Sequence, residues 1–175
     1  MNSPQRFNIS AVRGQPDLAA TIDLFYAYAG SLGFDLGFQN FDAEMAAMPG
    51  KYAPPEGELL LARDDNGRPI GCVGLRPLPS TKNIDDDGTS RVCEMKRLYV
   101  SPSGRGTGVG KALALGIIAA ARKLGYSEMR LDTLPRMVAA LNMYRSLGFK
   151  DIDPYYETPL EGTHFLALQL NTGTS

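Results

Sequence analysis

Met95-Lys96-Arg97-Leu98-Tyr99-Val100-Ser101-Pro102-Ser103-Gly104-Arg105-Gly106-Thr107-Gly108-Val109-Gly110-Lys111-Ala112-Leu113 decides how the rest of the chain is read. It opens with strand character that ends near Val100, turns through a loop closed by Pro102, and passes over a glycine ladder into a helix that runs to about Lys123. Gly106, Gly108 and Gly110 alternate with other residues where that helix begins. Without a Cβ, a glycine lets the backbone take left-handed dihedrals and come close to a ligand. The first-turn amides of a helix have no intrahelical partner and carry the positive end of its dipole, so they make a seat for phosphate. Arg105 adds a forked, permanently charged donor beside them.

Around this stretch the chain is ordinary. Its 175 residues suit a single domain with a real core, and we expect that domain at residues 7–170, with residues 1–6 and 171–175 as frayed ends. The formal net charge is −1 and no run of Lys or Arg occurs, which argues against nucleic acid as a partner without arguing against a local phosphate pocket. No apolar stretch reaches the roughly 20 residues of a membrane span, and a signal-peptide plan is missing, so a soluble, cytoplasmic chain is expected, monomeric or homodimeric. Cys72 and Cys93, the only cysteines, sit in apolar, strand-like surroundings and read as buried reduced thiols rather than a disulfide. With His164 as the single histidine and no ligand-spaced cluster, no metal site is expected.

Hydrophobic periodicity gives the order of elements. Phe7 to Arg13 alternates as a strand. Leu18, Ile22, Phe25 and Tyr26 place a helix over Asp17 to Leu32, stopped by Gly33, and Phe41 to Met48 gives a shorter one ended by Pro49-Gly50. After a proline-rich loop, Glu58–Arg63 and Pro69–Arg76 form a hairpin about Asn66-Gly67. A polar excursion from Pro77 to Ser90 leads to a strand over Arg91 to Val100. Helix Gly108 to Leu124, strand Ser127 to Leu134, helix Arg136 to Leu147 and strand His164 to Leu170 follow. The order β-α-α-β-β-β-α-β-α-β predicts an α/β domain with a mixed sheet flanked by helices. Its first half is antiparallel, and its parallel crossover spans Arg91 to Leu134.

Arg105-Gly106-Thr107-Gly108-Val109-Gly110 resembles the (Gln/Arg)-x-x-Gly-x-(Gly/Ala) motif of the GNAT family of N-acetyltransferases. Leu141-Asn142-Met143-Tyr144-Arg145-Ser146-Leu147-Gly148-Phe149 is similar to that family's second signature, a helix ending in Tyr-x-x-x-Gly-Phe. Two motifs at family spacing in a matching order make a specific resemblance covering about Phe7 to Leu170. The resemblance implies acetyl-CoA as donor, with no metal. Its pyrophosphate would lie on the backbone from Arg105 to Lys111, and its pantetheine arm along Leu98, Tyr99 and Val100. It further implies Tyr144 as the proton donor to the departing sulfur and an amine of unspecified identity as acceptor. Relatives often carry an asparagine seven residues before this tyrosine. Here that place is Met137, and Asn142 offers a partial substitute.

The chemistry itself makes demands. An amine with an ordinary pKa near 10 is protonated at neutral pH and must lose a proton before it attacks a thioester. The developing oxyanion needs an N–H donor, for which the Leu98 amide is the candidate. Glu94 is the candidate base, in the strand that would carry the pantetheine. Read structurally, it is instead a solvated strand carboxylate balancing Lys96 or Arg97. Tyr144 has a structural reading too, as a core aromatic aligned with Leu141 and Leu147.

Asp85-Asp86-Asp87 is either an attractor for a cationic acceptor or a solvated loop, the commoner case. The aromatics Phe25, Tyr28, Phe34, Phe38, Phe41 and Tyr52 cluster in segments that line the acceptor side in relatives. Asp153-Pro154-Tyr155-Tyr156-Glu157 is a stiffened loop suited to covering that side. His164 reads as an exposed strand residue. A dinucleotide-binding turn with Asp132 as ribose partner is the competing enzyme reading, weakened by the charges in the preceding strand and by Ser101-Pro102-Ser103 where the tight first glycine belongs. A nucleotide-triphosphate loop is excluded because Gly110-Lys111 is followed by alanine. A CoA-binding module without transfer activity is the non-enzyme alternative.

Overall fold

The structure is a computed structural model and describes residues 6–79 and 91–170. Asp85-Asp86-Asp87 and the expected frayed ends at residues 1–5 and 171–175 lie outside the described residues.

Alternating and continuous apolar runs form the strands β1 (Phe7–Ala11), β2 (Glu58–Asp64), β3 (Pro69–Pro77), β4 (Val92–Val100), β5 (Glu128–Thr133), β6 (Lys150–Asp151) and β7 (His164–Gln169). They assemble into one sheet in the order β1-β2-β3-β4-β5-β7-β6. Every neighbouring pair is antiparallel except β4 with β5. The hairpin between β2 and β3 closes where the Asn66 and Arg68 amides donate to Asp64 Oδ1, each at 2.9 Å, with Gly67 at φ 78°. The sequence pattern misses β6, because two edge residues carry no periodicity.

Helices α1 (Gln15–Ser31) and α2 (Phe41–Ala46) cover one face of the sheet, and α3 (Val109–Lys123) and α4 (Val138–Ser146) cover the other. On α3, Val109, Leu113, Ala114, Ile117, Ile118 and Ala121 recur at helical spacing and are buried against Val73, Leu75, Cys93 and Met95. Phe25 and Leu24 of α1 meet Leu59, Leu61, Cys72 and Tyr52 on the opposite side. Adjacent residues of β2 therefore feed two separate cores, as strand geometry requires.

Two departures from regular sheet geometry fall in β4. The first is a splay. Parallel pairing with β5 is confined to Val92–Glu128, Cys93–Met129 and Glu94–Arg130, and beyond these residues the strands are unpaired with each other. The second is a bulge. Between the pairs Cys72–Tyr99 and Gly74–Lys96, Arg97 and Leu98 of β4 stand against Val73 alone, and Arg97 takes a left-handed φ of 60°. The bulge shifts the phase of the strand. Cys93 and Met95 face the α3 core before it, and Leu98 and Val100 face that core after it.

Candidate active site

The splay opens a cleft of about 490 Å³, walled by Leu98, Tyr99 and Val100 of β4, by Leu131, Asp132 and Thr133 of β5, and by Met143 and Tyr144 of α4. Arg105 and Gly110 close its far end. There the backbone is shaped as the glycines predict. Gly106 (φ 76°) and Gly108 (φ 85°) are left-handed, while Gly110 already belongs to α3. Gly108 caps α3 without a side-chain hydrogen bond, and the first amide answered within the helix is that of Ala112, to the Gly108 carbonyl at 3.0 Å. The amides of Val109, Gly110 and Lys111 precede that bond and form the anion-seeking end of the helix. Arg105 Nε donates to the Val100 carbonyl at 3.3 Å, tethering the guanidinium beside the cradle. The Val109 side chain turns into the core, and Thr107 Oγ1 donates to the Gly104 carbonyl, so neither side chain is turned to the cleft. Gly104 has a packing role the sequence did not reveal: a Cβ there would lie 3.0 Å from Val100 and 3.1 Å from the Ile70 carbonyl.

Tyr144 fits both of its readings. It is 7% exposed, packs edge-on against Phe149 with centroids 5.7 Å apart, and lines the cleft. Burial raises its pKa well above the usual phenol value, so its hydroxyl stays protonated and able to donate. Asn142 lies on the exposed side of α4 and does not line the cleft, whereas Met137 does.

Beside the cleft is a chamber of about 320 Å³, lined by Phe38, Gln39, Arg76, Glu94, Lys96, Tyr155 and Tyr156 among others. Glu94 belongs here, and the solvated-carboxylate reading fails: Glu94 is 1% exposed. Its Oε1 accepts from Arg76 Nε at 2.9 Å and lies 2.8 Å from Arg76 Nη2, while Tyr155 donates to Oε2 at 2.6 Å. Burial pushes the Glu94 carboxyl up. The charges of Lys96 and Arg76 and the hydrogen bonds from Tyr155 and Arg76 outweigh it, and the pKa falls below the ordinary value.

The neighbouring charges are also buried rather than solvated. Arg97 is held by Glu44 Oε2 at 3.2 Å, by Gln39 Oε1 at 3.0 Å and by the Phe41 ring at 5.1 Å. Glu44 further accepts from Tyr52 at 3.0 Å and pairs with Arg76 at 3.4 Å. Asp132, weighed in the sequence only as a ribose partner, borders the cleft and reaches the chamber. Its Oδ2 accepts from Tyr156 at 2.8 Å, and its Oδ1 is 3.9 Å from Lys96 Nζ.

The structure therefore gathers Leu98, Tyr99, Val100, Arg105, Gly110 and Tyr144 about the cleft, and puts Glu94 in the adjoining space. Of the aromatics, Tyr28 lines the cleft and Phe38 the chamber. Phe25, Phe41 and Tyr52 are core, with Phe34 packed against them. The 153–157 loop contributes both tyrosines to the chamber wall. His164 is half-buried and stands 3.8 Å from Asp151, away from both spaces. Both cysteines are buried and free.

Residues 23–149 match the family profile described as the acetyltransferase (GNAT) family. The chain belongs to that family. This acetyltransferase is 41% identical to an uncharacterised N-acetyltransferase of Schizosaccharomyces pombe, over 98% of its own length and 99% of the relative's. It is 32% identical to another from Dictyostelium discoideum, over 84% and 92% respectively. Among solved structures, a GNAT-family acetyltransferase from Staphylococcus aureus shares the fold with a TM-score of 0.72 at 19% identity, over 94% of this chain and 99% of that one. A Salmonella typhimurium protein, solved with its cofactor acetyl-CoA, does so with a TM-score of 0.63 at 18% identity, over 97% of each chain. The family membership removes the dinucleotide reading and makes the chain an acyltransferase. Among the described residues no helix is long and apolar enough to cross a membrane.

Proposed function

We propose that this acetyltransferase binds acetyl-CoA along the cleft and transfers the acetyl group to a primary amine presented from the chamber, by direct attack. The observation that carries the reading is the coincidence, on one strand, of the splay that opens the cleft and the bulge at Arg97-Leu98. The residues present fit the donor. Left-handed glycines, three first-turn amides and Arg105 suit a pyrophosphate, and the unpaired edge of Leu98, Tyr99 and Val100 suits an extended amide-bearing arm.

In the transfer, the amine nitrogen attacks the thioester carbonyl carbon, a C–N bond forms, the C–S bond breaks and the amine gives up a proton. A bulge leaves a backbone group outside the ladder, and the Leu98 amide is the donor we assign to the charge growing on the carbonyl oxygen. Tyr144 supplies the proton to the leaving sulfur. Two carboxylates border the path of the amine's proton. Asp132 stands where cleft and chamber meet and makes first contact with the amine. Glu94 is the candidate base one step deeper, reached through the chamber, since its two donors and low pKa make it a poor direct one.

Thiol release from acetyl-CoA, measured with a panel of amines, tests this reading, with calorimetry of acetyl-CoA and NAD alongside. Acetyl-CoA should bind and NAD should not. Binding without thiol release from any amine would reduce the chain to a CoA-binding module.

A further inference from the structure

The chamber holds one charged group whose bonding stands apart from the rest. Lys96 is 7% exposed, and its ammonium carries three donors. Among the described residues its ammonium contacts Gln39 Oε1 at 3.5 Å and Asp132 Oδ1 at 3.9 Å, both long for a hydrogen bond. Arg76, Arg97 and Glu94, beside it, each hold at least one partner at 3.0 Å or closer. A desolvated ammonium with slack bonds, lining a cavity, is arranged for a further acceptor.

The placement of that slack is informative. Asp132 borders the cleft, Lys96 lines the chamber, and their charged atoms are 3.9 Å apart. Two opposite charges this close, at the junction of the two spaces, complement in reverse sign an ammonium and a carboxylate carried on one carbon. Part of the chamber wall is apolar and aromatic, with Phe38, Leu78, Pro79 and Tyr155, while Arg76 and Glu94 in the same wall are already bonded to each other. A space of about 320 Å³ suits one small side chain.

We propose that the acceptor is a free α-amino acid or a close analogue, its carboxylate held by Lys96 with help from the Gln39 side chain, its amine turned to Asp132 and the cleft. The proposal rests on the transfer reading given above and narrows its acceptor. An acceptor without a carboxylate leaves the Lys96 ammonium under-bonded, so an amide, a polyamine or a peptide N-terminus pays a desolvation cost that the free acid avoids.

Leucine and phenylalanine are compared with leucinamide and phenylalaninamide, as kcat/KM in thiol release and as affinity for the CoA-loaded protein by calorimetry. The free acids should lead by roughly ten- to a hundredfold, the range of a charge-assisted hydrogen bond. Lys96→Met should bring that ratio close to one. Gln39→Leu, which keeps the Lys96 ammonium and removes only its helper and one acceptor of Arg97, should reduce it less. Equal use of acid and amide by the parent, or a ratio that Lys96→Met does not change, overturns the proposal. If no amine releases thiol but the free acids still bind selectively through Lys96, the pocket stands and the transfer reading falls.

Discussion

Replacing Tyr144 by phenylalanine separates the two roles that one side chain occupies. The ring packs edge-on against Phe149 and is buried with Leu141, and phenylalanine keeps all of that. The hydroxyl donates to no described residue, so its loss breaks no bond among them. We therefore expect a stability change within about 0.5 kcal/mol, a shift in Tm of about 1–2 °C for a chain of this size. Catalysis should respond differently. General-acid assistance is worth roughly 10²- to 10⁴-fold, so kcat should fall at least about a hundredfold, some 2.7 kcal/mol of barrier. Acetyl-CoA affinity by calorimetry should hold. Because burial keeps the phenol protonated well past its usual pKa, the loss should be uniform across neutral and mildly alkaline pH. Thiol release from acetyl-CoA with the best amine of the panel reads the rate, and thermal melting reads the fold. A kcat within twofold of the parent would leave Tyr144 a core aromatic and nothing more.

Three further expectations follow from the same geometry. Gly108→Asp should push acetyl-CoA affinity down by at least about a hundredfold in calorimetry, because it sets a negative charge in the cradle, and the left-handed φ of 85° should add a modest loss of stability read by thermal melting. Arg76→Met leaves Glu94 buried with only Tyr155 as donor and should cost about 3 kcal/mol at neutral pH, read by denaturant melting. In the parent, the lowered Glu94 pKa contributes stability that is fully present above its unfolded value near 4.5 and is lost as pH falls through the folded one. Arg76→Met should shrink that acid-side loss. Neither Cys72 nor Cys93, the latter pushed up to about 12 by burial, should react with a thiol reagent at pH 8 until the protein is unfolded. Labelling of the native protein would contradict the buried placement.

The elements that were legible in the sequence are those with a period or a turn code. The helix after Gly108, the Asn66-Gly67 hairpin and the glycine ladder are local, and the structure builds each within a residue or two of the expected place. The charges of β4 stayed open between a functional and a solvated reading for the opposite reason. Glu94, Lys96 and Arg97 look solvated by composition, and only tertiary partners show otherwise: Arg76 from β3, Glu44 from α2, Asp132 from β5 and Tyr155 from the 153–157 loop. None of these contacts has a fixed spacing along the chain. The bulge, however, did leave a trace. Two successive charges, Lys96-Arg97, interrupt an otherwise alternating strand, and a phase slip in a strand's pattern is what an inserted residue produces. Asn142 does not line the cleft as Met137 does, because the two do not share a helix face. Its distance from Met137 along α4 sets it on the exposed side.

The buried charges bear on why the site sits where it does. A central strand flanked on both sides is the place where apolar residues stabilise most, and a buried ion pair is often no better than well-packed hydrophobic groups of the same volume. Carrying Glu94, Lys96 and Arg97 there costs stability that the fold does not require. Most of the cost is offset by short bonds to Arg76, Tyr155, Glu44 and Gln39, which fix the chamber wall and anchor the strained Arg97 at the bulge. Among the described residues of this network Lys96 is left slack, next to a carboxylate that also borders the cleft. A network built only for stability would close that last pair. Its openness, at the boundary between the two spaces, is what an acceptor carrying both charges would complete.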